Sequence, residues 1–127
     1  ECIDLFQKTP NCYLIPTGAI TIACEGDTEF LSDNLKEKAY QYFEEERNNI
    51  NKAYQAGLKM GFGSDLDMEN FVQNIGYEFT ARTDYYTFKP MDILLQATKN
   101  SAEIMKLDDI TGTIKVGKMA DLIVCDG

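Results

Sequence analysis

The sequence predicts an α/β fold with parallel strands, and three observations carry that expectation. The run Cys12-Tyr13-Leu14-Ile15-Pro16-Thr17 has the composition of a short buried strand closed by proline. A long amphipathic stretch follows from Asn34 to Ala56, with Gly57 directly behind it. A second apolar run, Leu58 to Phe62, then leads into the turn Gly63-Ser64-Asp65. Strand, helix, glycine, strand and polar loop in that order continue as a βαβ unit, which builds parallel sheets.

Each element has its own signals. After Pro16, the segment from Gly18 to Ser32 reads as a long loop, apolar at first and then polar, and loops of that length often carry function. In the helix that follows, Asn34 with Glu37 three residues on is a capping signal. Leu35, Ala39, Tyr42, Phe43, Ile50, Ala53 and Tyr54 give it an apolar stripe to lay against a sheet. Glu44, Glu45 and Glu46 read as its solvated face. From Met68 to about Thr83, Phe71, Ile75 and Phe79 recur at helical spacing. Tyr85, Tyr86 and Phe88 break that rhythm as packing at a helix junction, and Pro90 suits the first turn of another helix. Met91 to Met105 reads as that helix, or as two short ones hinged near Asn100. Gly112 and Gly117 mark turns, and Ala120 to Cys125 reads as a last strand.

Composition narrows the function. A chain of 127 residues with 44% hydrophobic and 26% charged residues has the makings of one globular unit. Its 12 basic and 21 acidic residues give a net charge of −9, which repels phosphate backbones and anionic membranes, so neither nucleic acid nor a membrane is expected as a partner. No run approaches the ~20 apolar residues of a membrane span. Cys2, Cys12, Cys24 and Cys125 form no C-x-x-C pair and read as reduced, mostly buried thiols of a cytoplasmic protein. The chain has no histidine, which excludes a Ser-His-Asp triad, a Cys-His dyad and any His-ligated metal built from these residues alone.

Three motifs resemble the C-terminal region of the amidohydrolase superfamily, in its imidazolonepropionase and prolidase-like branch. Ala56-Gly57-Leu58-Lys59-Met60-Gly61-Phe62-Gly63-Ser64-Asp65 is similar to the family's Ala-Gly-Val-x-Ile-x-x-Gly-Thr-Asp. The stretch from Leu94 to Met105 resembles its Ala-Thr-x-Asn-x-Ala helix. Gly112-Thr113-Ile114-Lys115-Val116-Gly117-Lys118-Met119-Ala120-Asp121-Leu122-Ile123-Val124 is close to its Gly-x-Ile-x-x-Gly-Lys-x-Ala-Asp-Leu-Val-Val, the most specific of the three. Leu14-Ile15-Pro16-Thr17 looks like the preceding strand of the same branch.

The resemblance implies a C-terminal fragment of a β/α (TIM-type) barrel over residues 1–111, and over 112–127 a strand returning to a small β-sandwich. Asp65 would then stand at the strand-end mouth where such barrels hold their active sites. The family's aspartate here is both catalytic and a metal ligand. A divalent metal, zinc by expectation, would lower the pKa of its water to about 7 for attack on an amide or cyclic-amide C–N bond. From Gly63-Ser64-Asp65 alone, an Asx-turn or a cap for the helix near Met68 remains the competing reading. Asp67 and Glu69 read as solvated charges. The family's histidines are missing here, and a β/α barrel takes about 250 residues. The expectation is therefore a parent enzyme with a small-molecule amide substrate, and an isolated chain that holds no metal and is inactive; with unpaired strand edges and an apolar surface exposed, it would self-associate as a homo-oligomer, aggregate or fold in a non-barrel arrangement. A non-catalytic α/β module acting by association is the alternative.

Overall fold

A computed structural model describes residues 1–26, 32–66 and 76–125, and in it helices carry the architecture. In chain order they are α1 (Cys2–Lys8), α2 (Gly18–Gly26), α3 (Asp33–Gln55), α4 (Tyr77–Asp84) and α5 (Pro90–Leu95). A π-helical turn, Gln96–Asn100, then runs straight into α6 (Ser101–Ile104). Helix α2 packs on α4 and α3, and α4 touches α5.

The expected β/α barrel with a β-sandwich strand is overturned, because the described residues contain no sheet. The two predicted strands meet at one parallel bridge, Leu14 with Met60. Its rungs are Leu14 N–H to Lys59 O at 3.3 Å and Gly61 N–H to Leu14 O at 3.0 Å. A parallel ladder would next need the N–H of Pro16 to reach Gly61 O, and proline has none. The Arg82 guanidinium takes that place, donating to Gly61 O at 3.0 Å and to Pro16 O at 2.5 Å. The pairing stops after one bridge because its next donor comes from a side chain.

Three other expectations change. The Gly18–Ser32 loop begins instead as α2, whose first turn is capped by Glu78 across the fold. Helix α3 starts with Ser32 as its N-cap, ahead of the Asn34 signal, and Ser32 O accepts from Leu35 and Lys36. Ala120 to Cys125 is exposed and pairs with no strand among the described residues, and Ile114, Val116, Ile123 and Val124 are almost wholly in solvent. Phe71, Ile75, Asp67, Glu69 and the start of the Met68 helix lie outside the described residues.

Other signals hold. Helix α3 ends at Gln55 with Ala56 as its C-cap, and Gly57 follows with φ 75°, the left-handed geometry in which glycine has no steric penalty. Pro90 occupies the first turn of α5, and the hinge expected near Asn100 is the π-turn. Tyr86 and Phe88 join Ala53, Met60 and Ile93 in the buried core, with Leu14, Ile50, Tyr54, Leu58 and Phe62 packed around them. Tyr86 O–H donates to Glu46, Tyr85 O–H to Phe43 O, and Thr87 N–H to Asn51, so the aromatic segment is fastened along α3. The cysteines are free as expected, but Cys2, Cys24 and Cys125 are exposed rather than buried.

Candidate active site

The site region is built around the place where the single bridge gives out. Arg82 is completely buried and Glu78 nearly so, one helical turn apart on α4, with Nε 2.5 Å from Glu78 Oε1. Glu78 also accepts Ala19 N–H at 2.8 Å and Gly18 N–H at 3.4 Å, which places a carboxylate at the positive end of α2. Gln96 Oε1 accepts from Arg82 as well. The guanidinium lies over the Phe62 ring, 4.6 Å from its centroid. Every polar group in this centre is therefore partnered, as a buried ion pair requires. Burial pushes the Glu78 carboxyl up, against the pull of Ala19 N–H and Arg82, and it pushes the Arg82 guanidinium down.

Beyond Gly61 the chain is tightly confined. A Cβ on Gly61 would stand 2.6 Å from Ile104 Cδ1 and 3.2 Å from Ile15 Cγ1, so a larger residue there requires the isoleucine side chains to shift. The other edge of the segment is closed by side chains from the π-turn and its successor. Asn100 Nδ2 donates to Met60 O at 2.9 Å, and Phe62 N–H donates to Ser101 Oγ at 3.2 Å.

Asp65 lies just past this clamped stretch. It is exposed, its φ is 54°, and no hydrogen bond or ion pair holds its carboxylate among the described residues. Aspartate is one of the few residues that enters the left-handed region readily. Among the described residues no three His, Cys, Asp or Glu side chains lie close enough to hold a metal ion, and the whole chain has no histidine. One exposed carboxylate does not make a metal site, so the described residues do not by themselves fit a divalent ion.

Arg82, Glu78 and Gln96 did not emerge from the sequence reasoning. The signal for the first two was a Glu and an Arg at i, i+4 in a helical stretch. The missing N–H of Pro16 was the signal for what Arg82 does.

The amidohydrolase family model matches residues 4–127, and the chain belongs to the amidohydrolase family. The chain is also 28% identical over 71 residues to imidazolonepropionase from Thermoplasma volcanium, which covers 56% of this chain and 18% of that enzyme. The crystal structure of an uncharacterised protein matches with a TM-score of 0.68 and 30% identity, over 92% of this chain and 29% of its own. The chain thus spans less than a third of the length of either relative.

Proposed function

We propose that this chain forms part of a hydrolase acting on an amide or cyclic-amide C–N bond, with Asp65 as catalytic carboxylate and as one ligand of a divalent metal, zinc first. The observation that carries the reading is the placement of Asp65: solvent-facing, unpartnered among the described residues, and directly beyond a buried segment clamped by Arg82, Asn100 and Ser101. Membership of the amidohydrolase family and the likeness to an imidazolonepropionase support it. An unpaired carboxylate can accept a proton from attacking water and pass it to the departing amine. The other metal ligands would come from outside the described residues, and the isolated chain would be inactive.

The test is Asp65→Asn in the natural protein, assayed for imidazolonepropionate and simple cyclic-amide hydrolysis and for bound zinc by mass spectrometry. Turnover should fall by about 10²-fold or more, with zinc content reduced and the melting temperature unchanged, because the side chain is exposed. Undiminished turnover and zinc would overturn the reading.

A second reading has its own observation. Ile114, Val116, Ile123 and Val124 are between 86% and 107% exposed, a concentration of apolar surface that favours self-association as a homo-oligomer.

A further inference from the structure

We propose that Arg82 is a positioning residue for Asp65: its guanidinium straps two strand ends together where Pro16 breaks their ladder, and so fixes the stem from which Asp65 is presented. The inference rests on the role proposed for Asp65 and adds the group that holds it in place.

The two segments run parallel and are bonded at Leu14, through Lys59 O and Gly61 N–H. Continued along the chain, the ladder would set the N–H of residue 16 on Gly61 O, and then the N–H of residue 63 on Pro16 O. Proline has no N–H, so the first of these bonds cannot form. Both acceptors turn to one guanidinium instead: Arg82 Nη1 donates to Gly61 O at 3.0 Å and Nη2 to Pro16 O at 2.5 Å. The planar fork of arginine holds these donors at a fixed separation, so one side chain ties segment to segment as a rung would.

The strap is itself immobilised. Arg82 is wholly buried, its Nε donates to Glu78 Oε1, and Nη1 also reaches Gln96 Oε1. Glu78 in turn accepts Ala19 N–H, so the same ion pair holds the backbone on the far side of Thr17. On the other segment, the guanidinium covers the Phe62 ring, which also packs on Phe79 with 4.5 Å between centroids. Helix α4 therefore grips the chain at Pro16 and Ala19 around Thr17, and at Gly61 and Phe62 ahead of Asp65. Asp65, three residues past Phe62 and at φ 54°, is exposed and has no bond of its own among the described residues. Its position is set by the stem beneath it. A displaced catalytic group loses rate steeply, by about 10²-fold for a shift near 1 Å.

The test compares Arg82→Lys, Pro16→Ala/Arg82→Lys and Asp65→Asn with the natural protein. Lysine keeps a cation beside Glu78, but its three donors sit on one atom and cannot serve the four acceptors of Arg82. The backbone order parameter of Asp65 is read by nuclear relaxation, and kcat and KM by cyclic-amide hydrolysis. In Arg82→Lys the order parameter should fall from about 0.85 to below about 0.6, and kcat should fall about tenfold with KM unchanged. Pro16→Ala/Arg82→Lys supplies the ladder N–H for Gly61 O and should recover most of both losses, which a general loss of stability would not do. An Asp65 already mobile in the natural protein, or equally ordered in Arg82→Lys, overturns the proposal, as does a double variant without recovery. Full turnover in Asp65→Asn overturns the role of Asp65 and the proposal with it, whereas lost turnover there beside natural turnover in Arg82→Lys overturns the strap alone. If Arg82→Lys does not fold, Glu78→Gln/Arg82→Met takes its place, since it removes the pair without leaving a buried charge. The same loss of order at Asp65 is expected of it, and an ordered Asp65 overturns the proposal.

Discussion

Three side chains show how local chemistry sets stability here. Arg82 serves four acceptors at once: Glu78, Gln96 and the carbonyls of Gly61 and Pro16. Arg82→Met removes every one of those donors and leaves the buried Glu78 carboxylate without its cation. Breaking one side of such a pair costs about 3–5 kcal/mol, so urea unfolding should show a loss of that order. Glu46 presents a pH effect. Burial raises its carboxyl above the ordinary 4.5, although the bond from Tyr86 and the nearby Arg47 pull it down, and its Oε2 is buried with no hydrogen-bond partner among the described residues. Between the ordinary and the raised value the folded chain binds more protons than the unfolded one. The contribution of Glu46 to stability is therefore fully present below that window and is lost as pH rises through it. Glu78 is raised by burial too and adds a contribution of the same sign. Glu46→Gln should flatten the decline without abolishing it, as read by melting temperature from pH 4.5 upward. In the sequence, Glu78 and Arg82 showed only as an i, i+4 pair, and their burial was hidden because it depends on Pro16, Gly18 and Ala19, about 60 positions away.

At the scale of elements, the helices with strong terminal chemistry were legible. Gly57 behind α3 and Pro90 at the head of α5 each carry a backbone preference that depends on no distant contact. Helix α2 was not legible, since its first turn depends on Glu78, 59 positions from Ala19. The strands were misjudged for a related reason. Apolar runs reveal burial, but a ladder also needs an N–H at each alternate position, and Pro16 withholds one. The C-terminal turn shows the opposite case, a motif whose physics becomes plain in the fold. Lys118 donates to Asp108 O, Thr111 O and Thr113 Oγ1, so one ammonium gathers the turn before Gly117 and the carbonyls after α6. Gly112, at φ 81°, lies where a Cβ would stand 2.4 Å from Ala102 Cβ. Lys118→Met keeps the stem and removes the three donors. It should cost roughly 1–3 kcal/mol in thermal unfolding, and Gly112→Ala should cost more than Lys118→Met because a steric clash joins an unfavourable φ.

The molecule as a whole keeps its core between α3, the bridged segments and the α4–α5 region, and leaves the C-terminal residues outside it. That distribution was legible only in part. Ala120 to Cys125 looked in sequence like a last strand, and among the described residues nothing buries its Leu122, Ile123 and Val124. Exposed apolar surface of this extent favours association, because each large side chain removed from water contributes about 1.5–3 kcal/mol. Self-association should therefore run through the C-terminal segment. Ile123→Asp with Val124→Asp places two charges on that segment without touching the core, since both positions are 90% or more exposed. The double variant should sediment as a smaller species than the natural chain at equal concentration, with an unchanged unfolding midpoint once diluted to monomer. If it associates as strongly as the natural chain, the C-terminal segment is not the contact, and the homo-oligomer reading loses its structural support.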